Sequence, residues 1–212
     1  MRDLDKWCVV DWPENFRDGY DVDIREGQIC RTPHVAINAY YLHAIDEANK
    51  MARALSLPAY SDAAPLKEGF YRAFYDGERH LYRDSGETEH ISYIGNVYPF
   101  AFGLFPEEAF VAKMHRLVAQ KGLYSMAFFG TFPLLYRLFL SGEEAFAEEL
   151  MASPHCWLRM LREGATTTFE AWGKDGKWNT SLFNLTYSFA AVFLSKEGRA
   201  LMQEDAKWKK TE

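Results

Sequence analysis

Apolar positions recur at helical spacing along most of this chain, and short polar, glycine-containing stretches interrupt them at close intervals. From Thr32 onward the pattern predicts a first helix, with Thr32 as its N-cap and Pro33 in its first turn. Val35, Tyr41, Leu42, Ile45, Ala48, Ala52 and Leu55 carry the apolar face. A second helix is predicted from about Asp62 to Phe74, with Leu66, Phe70 and Phe74 on one side. "YDGERHLYRDSGETEHIS" then reads as a long polar connection with room for a small hairpin. Further helices follow over about Tyr93–Gly103, Pro106–Gly122, "SMAFFGTFPLLYRLFL" and Glu143–Met151. The last two are "SPHCWLRMLREG", capped by Ser153 and Pro154, and Leu182–Leu194.

The apolar helices alternate with amphipathic ones. A helix that is apolar all round must be covered all round, so the alternation suits an inner set of helices packed inside an outer set. The predicted class is all-α, an α-hairpin array, ahead of a simple bundle. No exact repeat marks a regular solenoid. At 212 residues a single domain is expected. Its parts are a short extended N-terminal segment (1–31), helical hairpins (32–195) and a C-terminal tail (196–212) that takes in the basic "KWKK".

Composition narrows the chemistry. The net charge of −6 gives no basic stripe for phosphates, which disfavours nucleic acid. No run approaches a membrane span, and no basic start precedes an apolar run, so neither a membrane partner nor a signal peptide is expected. Three separated cysteines (Cys8, Cys30, Cys156) suggest no disulfide framework and fit a reducing, cytoplasmic setting. In that setting the sequons at Asn179 and Asn184 carry little weight. No paired histidines, phosphate loop or nucleophile elbow occurs, so no metal and no cofactor is expected. The unusual figure is 16% aromatic residues. Large rings fill helix interfaces, and they also offer flat faces to the C–H surfaces of sugars.

Carboxylates among aromatics remain. "DWPENFRDGYDVD" holds Asp11, Trp12, Asp18, Asp21 and Asp23; "LYRDSGETEHIS" holds Asp84, Glu87 and Glu89; "TTTFEAW" holds Glu170 and Trp172. All lie in connections, where loops from distant positions can meet. An acidic residue before a helix is often only a cap or a dipole partner, the plain reading for Asp18, Asp23, Glu87 and Glu89. Asp11–Trp12 ahead of Pro13 reads either as a site or as a stiff packing element. For Glu170 the loop continues through Gly173, Gly176 and Asn179, so no helix follows for it to cap. Spacing alone leaves both a catalytic and a structural reading open.

Taken in order, "VVDWP…DGYD", "HVAINAYYLHAIDEANKMARALSL", "LYRDS…HISYIGNVYPFAFGLFP" and above all "MLREGATTTFEAW…SLFNLTYSFA" resemble the catalytic domain of bacterial α-L-rhamnosidases. Those are inverting glycosidases built as a six-hairpin (α/α)6 toroid, of which this chain would form about four hairpins. The resemblance implies that Glu170 is the general base and Trp12 a sugar-contacting aromatic, with Asp11 beside it. It implies that Trp172 lines the site and that a terminal rhamnoside is the substrate. Where the family usually has a sugar-contacting histidine, this chain has Asn184, an amide that donates but carries no proton. The family's general-acid segment, an R-x-E-x-x-G-W type stretch, has no counterpart here. The expectation is therefore a partial domain, weak or inactive alone, with apolar helix faces open to self-association. A non-catalytic carbohydrate-binding or assembly module derived from such a glycosidase is the alternative. A purely structural helical scaffold would account for the packing but not for Glu170 and its loop.

Overall fold

The structure, a computed structural model, describes residues 10–12, 14–20, 24–25, 28–29 and 32–210. Cys8, Cys30, Asp21, Asp23 and most of the "WCVVDWP" run lie outside the described residues. The fold is all-α in substance, as the periodicity predicts, and its residues gather in two compact units. One contains Val10 and Arg17–Leu117; the other contains Asp11–Phe16 and the chain from Val118 onward.

In the first unit a short hairpin, β1 (Ile24–Arg25) and β2 (Gln28–Ile29), precedes α1 (Val35–Ala54). Thr32 does not cap α1. The N-cap position is His34, with no side-chain cap bond. His34 is instead buried and bonded through Nδ1 to the Tyr20 hydroxyl at 2.6 Å. The second helix, α2 (Ala64–Phe74), runs directly into a hairpin of β3 (Tyr75–Asp76) and β4 (Leu81–Tyr82), the small hairpin for which the polar connection has room. Next come α3 (Tyr93–Ala101) and α4 (Glu108–Lys121).

The third helix is buried along nearly its whole length and packs on α1, so its one polar interior residue, Asn96, must be satisfied from within. Its Oδ1 accepts from Tyr82 N at 2.7 Å, and its Nδ2 donates to the carbonyls of Tyr82 and Ser92 at 2.9 Å each. The α3 cap is built the same way. Ser92 Oγ accepts from Gly95 N and donates to the buried Asp84, whose carboxylate also takes Ser92 N. A Cβ at Gly95 would lie 2.6 Å from Asp84 Oδ1, which explains the glycine inside an otherwise apolar helix.

In the second unit α5 (Phe128–Leu140) packs on α6 (Glu144–Met151), followed by the short α7 (Trp157–Arg162). This last helix begins later than Ser153 and Pro154 suggest; Cys156 holds its N-cap position. No helix is present from 163 to 184. The chain then forms a 3₁₀ turn (Leu185–Phe189), α8 (Ala190–Leu194) and α9 (Lys196–Lys210). The sequence pattern places a tail where α9 stands. Met202 is buried against the unit, and Arg199 ties α9 back through Phe193 O at 2.7 Å and Glu148 at 2.5 Å. Gly198 sits against Val192 with no space for a Cβ, so α8 and α9 turn on each other tightly. Among the described residues no helix is long and apolar enough to cross a membrane.

Two substitutions test these buried polar groups in opposite directions. Asn96→Ala leaves the Tyr82 backbone groups buried without partners and is expected to destabilise by about 2–4 kcal/mol. Tyr187 is fully buried, and its hydroxyl has no hydrogen-bond partner among the described residues. Tyr187→Phe is therefore expected to be neutral or to stabilise by up to about 1 kcal/mol. Thermal and urea unfolding of both variants checks the pair; a Tyr187→Phe loss comparable to that of Asn96→Ala would contradict it.

Candidate active site

The long stretch between α7 and the 3₁₀ turn carries Glu170, and it must satisfy its backbone without a helix. It does so by pairing with itself. Glu170 N donates to Ser181 O at 2.9 Å, and Asn184 N donates to Thr168 O at 2.9 Å. The Thr168 hydroxyl adds a bond to Asn184 O. These bonds fold 168–170 onto 181–184 and bring two of the sequence-predicted residues, Glu170 and Asn184, into one local structure.

The glutamate is no helix cap. Its Oε1 accepts from Lys177 Nζ and its Oε2 accepts from Ser181 N at 3.1 Å. With 25% of its side chain exposed, it keeps acceptor capacity for water beyond those two bonds. The bond from Lys177 holds the carboxyl below the ordinary glutamate value; desolvation opposes this, and Ser181 N adds to it. Glu170 is thus an ionised base at neutral pH. In Asn184 the Oδ1 is committed to capping the 3₁₀ turn at Thr186 N, 2.8 Å away, which leaves the amide Nδ2 as its donor.

Asp11 and Trp12 belong to the same unit and split into two roles. Trp12 is 43% exposed, and Lys177 Nζ lies 5.7 Å from its ring centroid. Asn15 fixes that segment by donating to Gly176 O at 3.2 Å. Asp11 is buried, with Oδ1 accepting from Trp12 N at 2.9 Å and Oδ2 from Ala127 N at 2.8 Å, at the start of α5. Burial pushes its carboxyl up to about 7, while backbone N–H groups of Trp12, Ala127, Phe129 and Gly130 pull it back. Trp172 is also fully buried: its indole N–H donates to Met126 O at 2.6 Å, and its ring packs 4.0 Å from Tyr187 and 4.9 Å from Trp157. Expected to contact or line a sugar site, Asp11 and Trp172 are instead buried, with next to no exposed area to offer a ligand. The reason is shared: each satisfies a polar backbone group around the start of α5.

Sequence reasoning missed Lys177, which joins Glu170 to Trp12. A single lysine between Gly176 and Trp178 in a polar loop gives no signal by itself. It missed Arg159 as well, whose guanidinium binds Glu163 at 2.8 Å, Trp172 O at 3.1 Å, and Asp175. Gly173, at φ +91°, passes so close to Arg159 that a Cβ would overlap the guanidinium. Of the other acidic residues singled out in the sequence, Asp18, Asp84 and Glu89 serve the first unit locally. Asp18 accepts from Tyr93 N at 2.7 Å, Asp84 binds Ser92 and His90, and Glu89 pairs with Arg79.

The chain matches the bacterial alpha-L-rhamnosidase 6 hairpin glycosidase domain over residues 1–192, and it belongs to that family. No curated protein matches it. Among solved structures, the Streptomyces avermitilis alpha-L-rhamnosidase complexed with L-rhamnose is similar at 21% identity with a TM-score of 0.54. The match covers 84% of this chain and 19% of that one, so the chain spans about a fifth of that enzyme's length. At this identity the likeness concerns the fold.

The Asp11 environment has a measurable signature. Its folded pKa of about 7 lies above the ordinary 3.8, so the folded state binds the extra proton between those values. Stability is then expected to fall as pH rises from about 4 to about 7, by an amount on the order of 4 kcal/mol, and to level off above. Melting temperatures across that window, for the wild type and Asp11→Asn, check the sign; the variant should lose this slope, and a variant with the wild-type slope would contradict the assignment.

Proposed function

We propose that this member of the six-hairpin family is an α-L-rhamnosidase-type inverting glycosidase domain, with Glu170 activating the water and Trp12 offering its ring to the sugar. The observation that carries the reading is the joining of an ionised, partly exposed Glu170 to an exposed Trp12 through one lysine. In inverting hydrolysis one carboxylate takes a proton from water on the face opposite the leaving group, while a second carboxyl protonates the departing oxygen. The two stand roughly 6.5–9.5 Å apart to admit the water. Glu170 suits the role of base, since it is ionised, oriented by two bonds, and has lone pairs to spare. The amide of Asn184 suits a sugar hydroxyl, where it can donate but not transfer a proton. Asp11 and Trp172 support the arrangement from beneath.

The second carboxyl is the open half of the mechanism. Within this unit Glu163 and Asp175 are engaged by Arg159, and Asp11 is buried in helix-end bonds. In this reading none of these three carboxyls serves as the general acid. A non-catalytic carbohydrate-binding or assembly module is the second reading; Lys177 seated on Glu170 favours it, since a paired carboxylate is a weaker base.

An activated leaving group separates the two, because dinitrophenolate departs without acid help. With dinitrophenyl α-L-rhamnoside the enzyme reading expects slow turnover that releases β-L-rhamnose and disappears in Glu170→Gln. Unactivated rhamnosides should be cleaved poorly or not at all. Trp12→Ala should weaken L-rhamnose binding about tenfold, roughly 1.4 kcal/mol, by calorimetry. Rhamnose binding with no turnover of the activated substrate would favour the binding module. Robust cleavage of unactivated rhamnosides would overturn the missing acid.

A further inference from the structure

A lysine on a loop normally extends into water, and its ion pairs there contribute little. Lys177 is placed differently. Only 10% of its side chain is exposed, its Nζ bonds Glu170 Oε1, and the same ammonium lies over the Trp12 ring. Its backbone is held too. Thr180 closes a turn on the Lys177 carbonyl through N at 3.1 Å and Oγ1 at 2.7 Å. The preceding Gly176 has no room for a Cβ beside Ala171 and Trp172, and its carbonyl takes the Asn15 amide. The adjoining Trp178, in contrast, is 92% exposed. The turn therefore sends one side chain out and holds the other in.

We propose that Lys177 is a positioning residue of this site: its ammonium fixes the plane of the Glu170 carboxylate and locks that carboxylate to the Trp12 platform. The proposal rests on the reading of Glu170 as base and Trp12 as sugar platform. With Oε1 on Lys177 and Oε2 on Ser181 N, the carboxylate cannot turn about its terminal torsion without breaking a bond, so its remaining lone pairs keep one direction. The ammonium also attracts the negative face of the indole, an interaction that strengthens as water is excluded. A sugar seated on the outer face of Trp12 would shield this pair further. The base and the platform are thereby held in one fixed relation by a single cation.

The test is a pH titration of the Glu170 side-chain carboxyl by NMR in the wild type, Lys177→Met and Lys177→Arg, each shown to be folded by its melting curve. The Lys177→Met midpoint is expected to shift upward toward the ordinary glutamate range, with a changed Trp12 indole signal. Lys177→Arg, which keeps the charge, should hold the midpoint low. An unmoved midpoint in folded Lys177→Met, or a Lys177→Arg midpoint shifted as far as that of Lys177→Met, overturns the proposal. A second measurement needs no Lys177 variant: reductive methylation of the wild type should modify Lys177 more slowly than the exposed lysines, and faster in Glu170→Gln. Modification of wild-type Lys177 at the rate of the exposed lysines also overturns it. Calorimetry with L-rhamnose on the same samples separates the two readings. If rhamnose does not bind but the Glu170 midpoint follows Lys177, the carbohydrate reading falls and the positioning role stands; if rhamnose binds and the midpoint does not follow, the positioning role falls alone.

Discussion

The geometry of the site depends on the self-pairing of the helix-free stretch between α7 and the 3₁₀ turn. Backbone polar groups near a packed core need partners, and a stretch without helix or sheet must find them singly. Here Glu170 and Ser181 bond each other through backbone and side chain, and Thr168 and Asn184 close the far end. At the near end Arg159 of α7 clamps Trp172 O, and Glu163 takes Lys174 N at 2.7 Å. A carboxylate that would wander on an ordinary loop is thereby fixed in place and direction.

Beneath it, Asp11 and Trp172 meet the start of α5 from two sides, one accepting from Ala127 N and the other donating to Met126 O. A buried carboxylate is costly unless hydrogen-bonded, and a helix N-terminus is among the few protein surfaces that offer several N–H groups together. Burial still outweighs those donors in setting its pKa. The segment Asp11–Phe16 is thus fastened by a polar contact as well as by apolar packing, including the edge-on meeting of Phe16 with Tyr124. That fastening brings Trp12 to Lys177. Of the four residues expected from the sequence to contact a ligand, Asp11 and Trp172 are buried in these bonds, and the lysine that joins Glu170 to Trp12 was silent.

What could be read from the sequence follows from which forces leave a periodic trace. Most of the major helices stand near their predicted places because Phe70, Phe74, Leu134, Leu135 and Leu138 repeat at helical spacing and are all buried. Helix starts were harder: Thr32–Pro33 has the composition of a cap, yet burial of His34 against Tyr20 moves the start onward. The last helix was hidden because what holds it among the described residues is the close seat of Gly198, the burial of Met202 and bonds from Arg199, a pattern too irregular for periodicity to register. Glu170 stood out because acid between aromatics in a glycine-rich stretch contradicts both core and cap. Lys177 and Arg159 did not, since Lys177 meets Glu170 within the loop and Trp12 from far along the chain, and Arg159 reaches Trp172 and Asp175 across a stretch with no regular register.

The most direct test of the pinned loop is amide hydrogen exchange. The amides of Glu170 and Asn184 donate across the loop, so they should exchange far more slowly than unpaired amides, while the exposed turn at Trp178 should exchange fast. Exchange at Glu170 and Asn184 as rapid as at Trp178 would show an unpaired loop, and with it a carboxylate that nothing holds in place.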